Sequence, residues 1–222
     1  MMDRFAEPEY MDDAEEARAY AETDFSAVNQ AFAERLLELA GSTAEAQVLD
    51  FGCGPGDITL RIARSRPGWR ITGLDFSRAM LAFARRAQAR TGDAPHASWV
   101  ITDAKCCPFP DARFDILCSN SILHHITGAV QFWREIRRLA RPGTLIFFRD
   151  LFRPESEAAA RALVEKHAGD ASPLLQEEFY RSFLSAYTIE EVREQLGEAG
   201  LASLRVEQIT NRHIDIFGFA SG

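Results

Sequence analysis

The sequence predicts an α/β fold: one sheet of mostly parallel strands with helices on both faces. Three observations predict it. Short apolar runs alternate with helix-period segments from about residue 47 to residue 150. The run Leu145-Ile146-Phe147-Phe148 is continuously apolar, as strands buried on both faces require. The connections are long enough for crossover helices, which return right-handed to the same sheet.

Each element has a local cause. Phe25, Val28, Phe32, Leu36 and Leu39 recur at helical spacing, with Asp24 placed to cap the start and Gly41 the end. The first strand, 47–51, runs into a glycine loop, and 58–64 reads as helix. Arg66-Pro67-Gly68 is a turn before the second strand, 70–74. Ser77 caps a helix that carries Met80, Leu81 and Ala84. Strands follow at 98–101 and 113–119. An amphipathic helix at 129–140 is stopped by Arg141-Pro142-Gly143, and the fifth strand is 144–148. Residues 154–187 read as a helical insertion over the carboxyl edge of the sheet. Thr188 and Glu191 form a capping box for a helix that ends at Gly200. Residues 204–209 and 213–219 form a terminal hairpin with Asn211 in its turn, so at least one strand there is antiparallel.

A chain of 222 residues, 46% hydrophobic, supports one full core. No apolar run reaches membrane-spanning length, and the amino terminus lacks a secretory pattern, which together favour the cytoplasm. Cys53, Cys106, Cys107 and Cys118 are too few and too unevenly spaced for a disulfide framework and read as reduced thiols; Cys106 and Cys107 pose a soft-metal or joint-oxidation alternative to inert packing. The net charge is −8, and residues 1–24, with nine acids and two bases, carry −7 of it. The near-neutral remainder offers no footprint for nucleic acid. Residues 1–24 are thus set apart from a domain over 25–222. Their anchors are Phe5, Tyr10 and Tyr20, and residues 1–12 read as solvated chain. Alternatively, residues 1–30 fold over a bound ligand as a lid. The expected assembly is a monomer or homodimer.

The strongest motif is Val48-Leu49-Asp50-Phe51-Gly52-Cys53-Gly54-Pro55-Gly56-Asp57, at the end of a strand and the start of a helix. Glycines let such a backbone turn sharply and approach a ligand. The dinucleotide fingerprint is not met, because Asp57 stands where its third glycine belongs. Asp50 can accept from a cationic amino group. Asp75, 25 residues on, can accept both ribose hydroxyls with one carboxylate. Asp103, after the third strand, can take an exocyclic amine. Singly, each acid reads equally as a cap or turn former. Together they line one edge of one sheet.

As a set these residues resemble the class I S-adenosylmethionine-dependent methyltransferases. Asp50 to Gly56 resembles their first motif, and Gly73-Leu74-Asp75-Phe76-Ser77 with Met80-Leu81 their second. Asp103-Ala104, Pro108-Phe109-Pro110-Asp111 and Phe114-Asp115 resemble the third region, and Arg141-Pro142-Gly143-Thr144-Leu145 the turn into the fifth strand. The resemblance covers about residues 45–150 and is nearest the ubiquinone/menaquinone-biosynthesis-like, small-molecule branch. It implies a Rossmann-like three-layer sandwich with a seven-stranded sheet whose last strand is antiparallel. It implies S-adenosylmethionine as cofactor, with Asp50, Phe51, Gly52, Cys53, Gly54 and Gly56 around its methionine part. Asp75, Phe76, Ser77 and Met80 would meet the ribose side, and Asp103 with Ala104 the adenine. Asn120 and Ser121 would face the sulfonium, with Tyr20 as a further contact. No motif in 151–200 names the acceptor.

Methyl transfer needs a general base only when the acceptor must lose a proton. His124 and His125, past the fourth strand, are candidates; the alternative is that one packs and the other meets cofactor or solvent. Adjacent histidines on a helix point apart and show no metal-ligand spacing. Arg149 can clamp an acidic acceptor, or form a structural pair with Asp150, as Arg153 can with another acid. Phe179, Tyr180, Phe183 and Tyr187 read as core or as a pocket wall. The function implied is transfer of a methyl group to a small molecule. Cofactor binding without transfer, or other chemistry in the same pocket, are the alternatives. Nucleic acid is disfavoured as acceptor, since Asn120-Ser121-Ile122-Leu123 is no base-handling tetrapeptide.

Overall fold

The structure, a computed structural model, describes residues 2–6, 14–92 and 96–221. In chain order the elements are α1 (Ala14–Glu22), α2 (Ser26–Ala40), β1 (Ala46–Phe51), α3 (Asp57–Ser65), β2 (Trp69–Asp75), α4 (Arg78–Thr91), β3 (Ala97–Ile101) and β4 (Phe114–Asn120). After a 3₁₀ turn (Leu123–His125) come α5 (Ala129–Leu139), β5 (Ala140–Leu151), α6 (Glu157–Ala168), α7 (Pro173–Ser185), α8 (Ile189–Glu198), β6 (Arg205–Gln208) and β7 (His213–Phe219). The seven strands form one sheet in the order β3-β2-β1-β4-β5-β7-β6. Pairs among β1 to β5 are parallel, and β7 runs antiparallel to both β5 and β6.

Strand periodicity divides the core into two layers. Val48, Ile116, Cys118, Leu145 and Phe147 face one side, where Phe32 and Leu36 of α2 and Leu60 and Ile62 of α3 cover them. Leu49, Phe51, Leu117, Ile146 and Phe148 face the other, under Phe132, Trp133 and Ile136 of α5 and Val192 and Leu196 of α8. Successive residues of one strand point to opposite faces, so both layers need apolar residues and the strands read as continuous runs.

Several local expectations change. Ser26 N donates to Asp24 Oδ1 at 2.9 Å, but Phe25 is the cap of α2 and makes no side-chain cap. Val28 is 37% exposed and lies off the buried stripe of Phe32 and Leu36. Arg141 to Gly143 end α5 and then belong to β5 as a register irregularity, between Phe114↔Ala140 and Ile116↔Leu145. Residues 154–187 do fold as a helical hairpin, α6 and α7, with Ala160, Val164, Tyr180 and Phe183 in its own small core. Ser172 caps α7 ahead of Pro173, which suits its first turn.

The amino-terminal segment departs most from expectation. Residues 2–6 are tied to the body although Asp3, Phe5 and Ala6 are exposed. Phe5 is 61% exposed and is no anchor; the anchor is Arg4, which bonds to Ser185, His124 and Ile126 carbonyls. Tyr10 lies outside the described residues. No helix among the described residues is long and apolar enough to cross a membrane.

Candidate functional site

The order β3-β2-β1-β4 means that the chain walks outward from β1 to β3 and returns to β4 on the other side. The carboxyl ends of β1 and β4 therefore leave their loops in opposite directions and open a crevice between them, where ligands of open α/β sheets bind. Asp50 is in register with Gly73 on one side and Cys118 on the other, and Asp75 with Ile101. The three strand-end acids stand along that rim.

Two adjoining cavities occupy the crevice and share Tyr20, Gly52, Gly54 and Asn120. The larger, about 910 Å³, takes in Asp50, Cys53 and Asp57 with residues of α2 and α3. The smaller, about 450 Å³, is lined by Leu74, Asp75, Phe76, Ser77, Met80, Asp103, Ala104, Ser121 and His125, with Glu178 and Arg181 from the insertion. The smaller brings together residues at the ends of β2, β3 and β4.

The loop after β1 is shaped by its glycines. Gly52 has φ +63°, and a Cβ there would lie 2.9 Å from Ile122 Cδ1. Gly56 has φ +84° and a Cβ would meet Trp99 at 2.6 Å, so it seats α3 and α4 rather than facing the cavity. Gly54, at φ +52°, leaves its surface open with only Tyr20 at 4.0 Å. Cys53 packs its thiol beside Trp99, Leu81 and Ala84. Phe51 does not reach the cavity: it is fully buried, edge-on to Phe132, on the core face it shares with Leu49.

Asp75 braces this loop. Its Oδ2 accepts from Gly54 N and its Oδ1 from Ser77 N, both at 2.8 Å. Burial pushes its carboxyl above the ordinary range, and these backbone N–H groups pull it back. Each oxygen keeps a lone pair for a ligand hydroxyl. Asp50 is 1% exposed, and Thr59 Oγ1 donates to its Oδ2 at 2.5 Å. Burial pushes it up to about 7, opposed by Thr59 and assisted by the Asp75 charge. A cationic group in the cavity would reverse that shift. Ser77 caps α4 by accepting from Met80 N at 3.3 Å, and Phe76 is left 49% exposed at the cavity mouth. Asp103 accepts from Lys105 N at 2.8 Å and pairs with its ammonium at 3.5 Å. Ser121 has φ +66°, a conformation non-glycine residues seldom adopt, locked by its N–H donating to Arg149 O at 2.8 Å. Tyr20, on α1, overlooks both cavities and packs 5.0 Å from Phe25. Burial, then the Asp75 and Asp150 carboxylates, pushes its phenol up to about 12, so the hydroxyl stays neutral.

The histidines divide the two roles open to them. They lie on the 3₁₀ turn with ring centroids 4.0 Å apart and planes tilted by 41°, in contact rather than pointing apart. His124 is 4% exposed, its Nδ1 2.6 Å from Asp150 Oδ1, and it does not line the cavity. Asp150 also accepts from Leu123 N at 2.6 Å and Leu151 N at 2.8 Å. His125 lines the smaller cavity.

Arg149 is turned away from the site. It faces Asp215 on β7, its direct cross-strand partner, with bonds of 2.7 and 2.9 Å from Nε and Nη2. The register, not the sequence neighbour Asp150, sets that pair. Arg153 pairs with Glu191 at 2.6 Å. Phe183 and Tyr187 are core, and Tyr187 donates to Ile126 O at 2.7 Å. Cys106 is exposed and Cys107 buried, with burial pushing the Cys107 thiol up to about 12; neither joins a metal-ligand cluster among the described residues. The features missed from sequence are Arg4, Glu178 and Arg181. Only the placing of 154–187 over the carboxyl edge hinted at the last two.

Known proteins match this architecture. A methyltransferase-domain family matches residues 48–143. The malonyl-[acyl-carrier protein] O-methyltransferase of Geobacter sulfurreducens is 31% identical over 202 residues, 88% of this chain and 72% of that protein. A ubiquinone/menaquinone biosynthesis C-methyltransferase from Desulfotalea psychrophila is 36% identical over 104 residues, 47% of this chain and 41% of that one. The chain spans about half the length of several of the curated relatives it matches. A crystal structure titled a putative S-adenosyl-L-methionine-dependent methyltransferase from Methanococcus maripaludis superposes with TM-score 0.76 at 20% identity over 98% of both chains, which matches the fold. On these matches the chain belongs to the class I S-adenosylmethionine-dependent methyltransferases, in the quinone-biosynthesis-like branch.

Proposed function

We propose that the chain transfers a methyl group from S-adenosylmethionine to a small-molecule acceptor. The observation that carries this is the joint placement of Gly52, Gly54, Asp50, Asp75 and Asp103 along one crevice. The residues fit the cofactor: an open backbone at Gly54, a buried carboxylate at Asp50 for an ammonium, and a braced carboxylate at Asp75 for ribose hydroxyls. When bound, the cofactor supplies an electrophilic methyl on a sulfonium whose departure leaves a neutral thioether, so the chain's work is to position and desolvate.

Asp50 and the loop hold the amino-acid end, Asp75 the ribose, and Asp103 with Ala104 the adenine. Phe76 and Met80 exclude water from that end. Asn120, at the end of β4, and Ser121, fixed by its positive φ, face the reacting centre. Tyr20 closes the crevice from α1, so residues 14–30 act as its cover. His125 stands where an acceptor would enter and takes a proton at its ring where the acceptor must lose one. Glu178 and Arg181 of α7 border that end and sort acceptors by charge. A small acceptor is favoured over nucleic acid by the near-neutral body.

The test is calorimetric titration with S-adenosylmethionine and S-adenosylhomocysteine, followed by product assays over small acceptors, quinols and malonyl thioesters among them. Saturable one-to-one binding and methylated product support the reading. Absence of binding to either ligand overturns it.

A further inference from the structure

We propose that Arg4 is a positioning residue for His125, so that the acceptor end of the site is completed by the chain's first residues. The 3₁₀ turn that carries His125 is only three residues long and has two bonds of its own, His125 N to Ile122 O and Ile126 N to Leu123 O, both 3.0 Å. Such a turn holds its shape weakly without outside partners. On the inner side Asp150 fixes Leu123 N and the His124 ring. Arg4 is a further partner of the turn. Its Nη2 donates to His124 O at 3.0 Å and Ile126 O at 3.2 Å, the carbonyls flanking His125, and its Nε donates to Ser185 O at 2.6 Å.

The guanidinium also lies 4.0 Å over the Tyr187 ring, whose hydroxyl donates to the same Ile126 carbonyl. Phe5 N adds a bond to Leu184 O at 3.0 Å, which pins the segment to the end of α7. One planar side chain therefore ties three pieces together: the amino-terminal segment, the insertion and the histidine turn. A lysine offers a point charge and cannot span three carbonyls in one plane. Arg4 thus grips the carbonyls on either side of His125, the backbone from which its ring projects against the His124 ring held by Asp150.

The kinetic part of this inference rests on the methyltransferase reading; the structural part does not. The experiment compares Arg4→Ala and Arg4→Lys with the unchanged chain. Amide hydrogen exchange at His125 and Ile126 and the His125 ring resonances are read without ligand. The dissociation constant of S-adenosylhomocysteine, and kcat, KM and the pH profile with an accepted substrate, are read next. For Arg4→Ala we expect exchange at His125 and Ile126 about tenfold faster, the loss of roughly one net hydrogen bond. We expect kcat down about tenfold with an altered pH profile and a cofactor affinity within about twofold, because Tyr20 stays in place. Arg4→Lys falls between. Unchanged exchange and ring signals overturn the proposal. So does a fall in cofactor affinity equal to the fall in kcat, which would make Arg4 a fastener of the whole cover. If the unchanged chain binds no S-adenosylhomocysteine, the methyltransferase reading fails while the exchange data still decide the clamp.

Discussion

Asp75 and His125 line the same cavity but are held by different means. Asp75 sits at the end of a central strand, and its bonds to Gly54 and Ser77 are local to the β1 and β2 loops. His125 sits on a three-residue turn, held through Asp150, Arg4 and Tyr187, which come from three remote parts of the chain. The half proposed for the cofactor is thus a property of the sheet. The half proposed for the acceptor is a property of tertiary assembly. One fold can keep the first constant and vary the second, because changes in the insertion or the amino-terminal segment leave the strand ends untouched.

The comparison is broken first at Arg149, which the sequence offers equally as an acceptor clamp and as one half of a structural pair. Its bidentate pair with Asp215 is cross-strand and part-buried, and Asp215 itself is 1% exposed, so truncation strands a buried carboxylate in the sheet. Arg149→Ala should cost about 3–5 kcal/mol of stability, seen as a lowered denaturant midpoint. The KM for the acceptor should hold at a temperature where the variant is folded. A raised KM without loss of stability would return Arg149 to the site.

Asp75→Ala strikes the cofactor half. It removes the carboxylate proposed to hold the ribose and the brace on Gly54 together. Charge-assisted bonds are each worth about 1.5–3 kcal/mol, so the affinity for S-adenosylhomocysteine should fall about a hundredfold or more. Calorimetry reads this directly. A change under threefold would show that the loop, not the rim acid, does the gripping.

Asp50 sharpens the same half through protons. Its folded carboxyl is raised from 3.8 to about 7. The folded state therefore holds a proton that the unfolded chain has already released. The stability this group contributes is full below about pH 4, is lost as pH rises towards 7, and is flat above. A bound ammonium favours the carboxylate, so cofactor binding at pH 6 should release a proton, up to one per site. Calorimetry in two buffers of different ionisation enthalpy measures it. Asp50→Asn should abolish the release and flatten the stability slope between pH 4 and 7.

What the sequence made legible follows the same divide. The parallel sheet, the hairpin, the Thr188 capping box and the rim acids rest on periodicity and turn chemistry, which are local in the chain. Phe51 was misread as a cofactor contact, although it shares strand parity with Leu49, whose face of the sheet is core. Gly56 is adjacent to a binding loop without facing it, and only the position of Trp99 reveals that. Arg149 could not be read, because its partner depends on the register of β5 with β7, 66 residues away in sequence. Arg4 stood in an acidic stretch whose composition read as solvated, and its carbonyl partners lie 120 to 181 residues away. Composition reports whether a segment can build a core; it does not report whether one cation finds three carbonyls.

Tyr20 spans both halves, and its hydroxyl gives the smallest effect and the finest test. The phenol is pushed up to about 12, so at any working pH it is a neutral donor beside the Asp75 and Asp150 carboxylates. Tyr20→Phe keeps the ring that packs on Phe25 and covers Gly54, and removes only that donor. If α1 acts as a cover through its ring, the variant should weaken S-adenosylhomocysteine binding by no more than about threefold, while Tyr20→Ala weakens it about tenfold. Equal losses in the two variants would mean that the hydroxyl bonds the ligand or the rim acids. α1 would then belong to the gripping half of the crevice and not to its cover.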